Sequence, residues 1–101
     1  MEVFKVAVCC TFGAGSSLML KMNLDSVFAK MGLNVDIKVE DISSISGLKN
    51  DLDAIFTSSA LASQVEESIR GAKAIVVPVV NYFDLNGLEK LVRQYLLKEG
   101  E

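Results

Sequence analysis

Short apolar runs alternate along this chain with longer stretches in which apolar side chains return every three or four residues. The runs cover residues 2–9, 34–39, 53–57 and 73–79, and each has the length and β-branched content of a strand. Helical spacing occupies 16–31, 60–69 and 84–97, with a short, weak helix expected at 45–49. Val35, Ile37 and Val39 alternate with charged residues, so the second strand buries one face and belongs near an edge. The fourth, almost continuously apolar from Lys73 to Val79, implies burial on both faces. On the first helix, at about 100° per residue, Leu20, Leu24, Val27, Phe28 and Met31 share one side. Leu18 and Met22 fall on the opposite side, toward solvent. The last helix turns Leu85, Leu88, Leu91, Val92, Tyr95 and Leu96 inward.

Punctuation fits these boundaries. Ser16 or Ser17 can cap the first helix, and Gly32 suits a left-handed C-terminal stop. Asp41, Ser43 and Ser44 form a polar loop before the short helix. Thr57-Ser58-Ser59 makes a turn and cap, Gly71 ends the third helix, and Asp84 opens the last. Strands separated by helices build parallel βαβ units with right-handed crossovers. The expected fold is therefore α/β: an open four-stranded parallel sheet in the order 2-1-3-4, helices on both faces, a flavodoxin/Rossmann-like three-layer sandwich. In such a sheet a ligand lies beyond the carboxyl ends of the strands where the order reverses, here between strands 1 and 3. The segment 10–17 falls at that point, with Thr57 and Ser58 beside it.

Composition narrows the chemistry. The 101 residues, half of them hydrophobic, are expected to form a single domain over 1–101. Ten basic and 13 acidic residues are mixed along the chain, giving a net charge of −3 without the basic stripe of a nucleic-acid binder. The apolar runs at 6–10 and 74–80 fall far short of the roughly 20 residues that a membrane helix needs, so no direct membrane insertion is expected. A first strand containing Glu2 and Lys5 is unlike a secretory signal, and two adjacent cysteines make no disulfide framework; the expected compartment is the cytoplasm. Histidine is absent, which removes histidine-based acid–base chemistry, and no cluster has zinc-ligand spacing. No metal or cofactor is expected.

The chemistry concentrates in Cys10-Thr11-Phe12-Gly13-Ala14-Gly15-Ser16-Ser17. Small residues let the backbone approach an anion, glycine tolerates the positive φ of an anion nest, and the following helix adds its positive dipole end. Thr11, Ser16 and Ser17 add three hydroxyls. A thiol at this spot has its thiolate stabilised, as a nucleophile requires. A G-x-G turn alone often does no more than pass the chain from strand to helix. Here Cys10 closes the strand, and the hydroxyls follow within seven residues. The Walker lysine after Gly15 is missing, and Leu18 stands where a dinucleotide fingerprint needs glycine. A cysteine phosphatase has the same loop followed by an arginine clamp; this chain has Ser16 there, which suits a carrier better than a hydrolase. Cys9, one residue back, faces the other side of the sheet and reads as a buried small hydrophobe.

The segment Val8-Cys9-Cys10-Thr11-Phe12-Gly13-Ala14-Gly15-Ser16-Ser17-Leu18-Met19-Leu20-Lys21-Met22-Asn23 resembles the phosphorylation loop and first helix of enzyme IIB components of the bacterial sugar phosphotransferase system. Within that system it is most similar to the ascorbate type of the lactose/ascorbate/galactitol lineage. The resemblance implies that Cys10, not Cys9, accepts a phosphoryl group from a phosphohistidine on enzyme IIA. It implies donation to a carbohydrate carried by the membrane permease, enzyme IIC. It also implies a phosphate held by the loop from Thr11 to Gly15 and by Ser16 and Ser17. Ascorbate-type relatives usually have glycine where this chain has Thr11. Phe12, Leu18 and Met22, beside the loop, would form a docking surface for partner proteins.

Other readings make different demands. A low-molecular-weight phosphatase-like hydrolase would use Cys10 to cleave aryl phosphates. A phosphoaspartate receiver needs an aspartate where Thr57 stands and an acidic pair where Cys10 and Thr11 stand. A non-catalytic regulatory homologue would keep the fold without the transfer. Asp36, Lys38, Glu40, Lys49, Asn50, Asp51, Glu66, Glu67, Arg70, Lys90, Arg93 and Lys98 read as solvated surface, and Asp41 and Asn81 as caps after strands 2 and 4.

Overall fold

The computed structural model describes residues 3–9, 14–48 and 50–97, and within these the side chains of 14–17 are outside the description. Eight elements follow one another as β1 (Phe4–Cys9), α1 (Ala14–Lys30), β2 (Val35–Glu40), α2 (Ile42–Leu48), β3 (Ala54–Ser58), α3 (Ala62–Ser68), β4 (Ile75–Val79) and α4 (Leu85–Tyr95). All strand pairings are parallel, in the order β2-β1-β3-β4. That is the expected α/β architecture.

The sheet carries a core on each face. Val6, Val8, Phe56, Val77 and Val79 pack under α1 and α4 with Leu20, Leu24, Phe28, Leu88 and Val92. Ala7, Cys9 and Ile55 pack on the other face with Ile45 of α2 and with Val65 and Ile69 near α3. Successive residues of β1 thus enter opposite cores, as the pleat requires. Register brings the carboxyl ends level: Cys9 pairs with Glu40 on one side and Thr57 on the other, and Ser58 pairs with Val79.

Helix ends follow from local chemistry. Gly32 has φ +73°; its N–H reaches the Ala29 carbonyl at 3.1 Å, and the Leu33 N–H reaches the Phe28 carbonyl at 2.9 Å. This is the Schellman arrangement that a left-handed residue permits. Asp84 caps α4 by accepting the Gly87 N–H at 3.0 Å.

Several expectations need correction. Thr57 and Ser58 belong to β3, and no side chain caps α3, which follows Leu61. Val39 is exposed rather than turned into the core. α1 starts at Ala14 rather than Ser16, so Ser16 and Ser17 lie in its first turn instead of capping it. Gly15 is tolerated there because first-turn residues have few intrahelical hydrogen bonds to lose. α2 starts at Ile42 because Asp41 is its cap and the serines are its first turn. β4 buries only Val77 and Val79. It lies at an edge, covered on the α3 side by a helix of only seven residues, and Pro78 suits an edge strand. Leu85, expected to face inward, is exposed on the first turn of α4.

Candidate functional site

The carboxyl end of the sheet, between β1 and β3, is where the chain departs to opposite faces. α1 follows β1 onto one face and α3 follows β3 onto the other, the arrangement that opens a ligand crevice in α/β sheets. The first residues of α1, Ala14 to Ser17, have N–H groups without carbonyl partners one turn back. A 17-residue helix beginning here brings its positive dipole end to the site. A helix start of this kind offers hydrogen-bond donors and partial positive charge to an anion.

Cys10, Thr11, Phe12 and Gly13, four of the expected site residues, lie outside the described residues. So do the side chains of Ala14, Ser16 and Ser17, although the backbone of residues 14–17 forms the helix start. Cys9 is fully buried on the α2–α3 face among Ala7, Ile45 and Ile55, as expected of a packing residue. Thr57 stands opposite Cys9 in the last pair of the β1–β3 ladder. It is fully buried, and its Oγ1 has no hydrogen-bond partner. Glu40, read from the sequence as solvated, is half-buried across from Cys9 on β2.

The polar residues that follow the strands are capping groups. The Asp41 carboxylate accepts the Ser43 hydroxyl at 2.8 Å and the Ser44 N–H at 2.9 Å. Those hydrogen bonds, the Ser43 hydroxyl first, hold its pKa below the usual aspartate value. Asn81 accepts the Phe83 N–H at 2.9 Å, closing the turn after β4. Asn23 of α1 donates its side-chain N–H to the Tyr82 carbonyl at 2.7 Å, fastening that turn to the helix beside the site.

Leu18 and Met22 are 51% and 55% exposed, on the outer side of α1 as expected. The sequence reading passed over Met19, Val80 and Phe83, which are exposed too. Among the described residues no helix is long and apolar enough to cross a membrane.

Residues 5–94 match the family described as the lactose/cellobiose-specific IIB subunit of the PTS system. Solved structures agree with the fold. The lactose-specific IIB component domain of the phosphoenolpyruvate:carbohydrate phosphotransferase system from Streptococcus pneumoniae superposes with TM-score 0.64 at 18% identity, covering 99% of this chain and 100% of that one. The uncharacterized protein lmo0427 gives 0.56 at 22% identity over the whole of both chains. A mutant of YwlE from Bacillus subtilis gives 0.56 at 15% identity, covering 97% and 99%. No curated protein sequence matches the chain.

Proposed function

Since the chain belongs to the family of PTS lactose/cellobiose-specific IIB subunits, whose role is phosphoryl carriage in a sugar phosphotransferase system, we propose that Cys10 is the residue that carries the phosphoryl group. The observation behind this reading is the match over residues 5–94. The start of α1 directly after the cysteine-bearing segment is consistent with it. The Cys10 thiolate attacks the phosphorus of a phosphohistidine on enzyme IIA, forming the S–P bond as the N–P bond breaks. A hydroxyl of a carbohydrate bound by enzyme IIC then attacks the same phosphorus, and the thiolate leaves.

Charge in phosphoryl transfer spreads over the equatorial oxygens of a loose transition state, so a carrier needs positioning and fixed donors more than acid–base groups. The backbone from Thr11 to Ser17, with the hydroxyls of Thr11, Ser16 and Ser17, is proposed to supply them without a metal or cofactor. The same donors are proposed to stabilise the thiolate, making it both nucleophile and leaving group. The resemblance of residues 8–23 favours an ascorbate-type carbohydrate. Phe12, Leu18 and Met22 are proposed as the surface that enzyme IIA and enzyme IIC share. A cytoplasmic location follows from this role.

The test is intact-mass spectrometry with peptide mapping after incubation with the general phosphocarrier and candidate phosphorylated enzyme IIA proteins. One phosphoryl mass on Cys10 is expected, lost in Cys10→Ser and kept in Cys9→Ser. Mass on Cys9 instead would show that the wrong sulfur was chosen, and steady hydrolysis of an aryl phosphate by the isolated chain would favour the hydrolase.

A further inference from the structure

Among the described residues the two most exposed large apolar side chains are Val80, at 88%, and Phe83, at 68%, both in the turn between β4 and α4. Burial anchors neither of them, yet polar groups hold this turn at three points. The Asn81 carboxamide accepts the Phe83 N–H at 2.9 Å, and Asp84 accepts the Gly87 N–H at 3.0 Å. The Tyr82 carbonyl accepts the Asn23 side-chain N–H at 2.7 Å. The first two bonds are local, of the kind that Asn and Asp make in turns and helix caps. The third comes from another element, α1.

Asn23 sits on the side of α1 that also carries exposed apolar residues. Met19 precedes it by one turn and Met22 stands next to it. Its bond to Tyr82 therefore brings the turn against the methionine-bearing side of the helix and joins two small apolar areas into one. Ordering a turn loses conformational entropy, and here it shields neither Val80 nor Phe83 from water. A partner gains from such ordering, because a surface already in its bound shape has less freedom left to lose on docking.

We propose that Asn23 is a positioning residue for the docking of enzyme IIA: through Tyr82 it sets Val80 and Phe83 beside Met19 and Met22 as one preformed apolar surface. This rests on the carrier reading above and adds to it a residue that acts through the turn, away from the reacting atoms. Charge selects the partner. Within residues 18–25 and 80–85, Lys21 is paired with Asp25 at 2.9 Å and Asp84 is engaged as a helix cap, so no acidic group there is left unpaired. Cytoplasmic loops of a membrane permease are rich in Lys and Arg and call for acidic partners. An apolar face on enzyme IIA fits this surface.

The test is single-turnover transfer from phosphorylated enzyme IIA over a range of its concentrations, with a urea melt of each variant. Asn23→Ala should raise the half-saturating concentration about fivefold, the size of one ordinary hydrogen bond, and leave the limiting rate within about twofold. Asn23→Asp, which keeps the size and loses the donor, should do the same. Val80→Ser combined with Phe83→Ser should raise half-saturation about tenfold. Adding Asn23→Ala to that pair should change it by less than about twofold, since the turn then presents nothing for Asn23 to position.

An Asn23→Ala effect of full size in the Val80→Ser, Phe83→Ser background would make Asn23 a residue of the fold and overturn the proposal. So would a limiting rate that falls at unchanged half-saturation, or unfolding of both Asn23→Ala and Asn23→Asp. A dimer of the isolated chain that Phe83→Ser dissociates would also overturn it, by giving the surface to a second copy. If enzyme IIA places no phosphoryl mass on the wild-type chain, the carrier reading itself fails. If it does, and Asn23→Ala half-saturates as the wild type does, only the role of Asn23 is lost, even where delivery to enzyme IIC slows.

Discussion

At the scale of single residues, Cys9 and Thr57 form the informative pair. They face each other across neighbouring parallel strands and are both fully buried. Strands about 4.8 Å apart bring such side chains within reach of each other. A serine at position 9 would therefore find a partner in the Thr57 hydroxyl, and would find none there in a Thr57→Val chain. Cys9→Ser should accordingly cost about 1–3 kcal/mol in the Thr57→Val background and about 1 kcal/mol less in the wild type. A double-mutant cycle by urea unfolding measures the difference, and additive costs would show that the two side chains do not meet. The burial of Cys9 was legible because strand alternation, counted back from Cys10, fixes its side of the sheet. The unpaired hydroxyl of Thr57 was not legible, since alternation gives a direction for a side chain and never its partners.

At the scale of elements, periodicity located every strand and helix, and the discrepancies arise where a neighbour decides. β4 is apolar enough for an interior strand, but whether both its faces are covered depends on the length of α3, which the sequence of β4 does not contain. The start of α2 was hidden because Asp41, Ser43 and Ser44 suit a loop as well as a capped first turn. α1 and α4 are joined at one end by an ion-pair network that no local pattern announces. Glu89 of α4 meets Lys30 at the end of α1 at 3.0 Å and Arg93 of its own helix at 3.0 Å. Hydrogen bonding from Lys30, then from Arg93, holds the Glu89 carboxyl below the usual glutamate value. A depressed folded-state pKa contributes stability above the ordinary carboxylate pKa of about 4.3, and that contribution is lost as pH falls through the folded value. Glu89→Gln should therefore be less stable than wild type at pH 7, and the gap should close in acid. Urea melts at neutral pH and near pH 3 check this; a gap independent of pH would mean that packing, not charge, explains the effect.

On the scale of the whole molecule, the two ends of the sheet differ in chemistry. At the amino end Asp53 fastens the strands: it accepts the Lys5 backbone N–H at 2.8 Å and faces the Lys73 ammonium at 3.9 Å. At the other end Leu18, Met19 and Met22 of α1 and Val80 and Phe83 after β4 leave apolar side chains in water. The Asn23–Tyr82 hydrogen bond holds those two segments against each other. Burial inside the chain cannot explain such side chains, because Leu20, Leu24, Val27 and Phe28 already supply the inner face of α1. A carrier must meet two partners with one site, so an apolar surface beside that site gives both a place to bind without demanding a fixed charge pattern. Leu18→Glu combined with Met22→Glu should slow phosphoryl exchange with enzyme IIA about tenfold or more, the loss expected when central apolar contacts are replaced by charge. Both side chains are about half exposed in the isolated chain, so its stability should change by no more than about 0.5 kcal/mol. Reaction of the Cys10 thiol with iodoacetamide should be unaltered as well, which separates lost docking from a damaged loop. Stopped-flow transfer measured beside a urea melt decides the matter: transfer at the wild-type rate, with the charges in place, would leave these side chains as ordinary surface hydrophobes and move the docking surface elsewhere on the carboxyl end of the sheet.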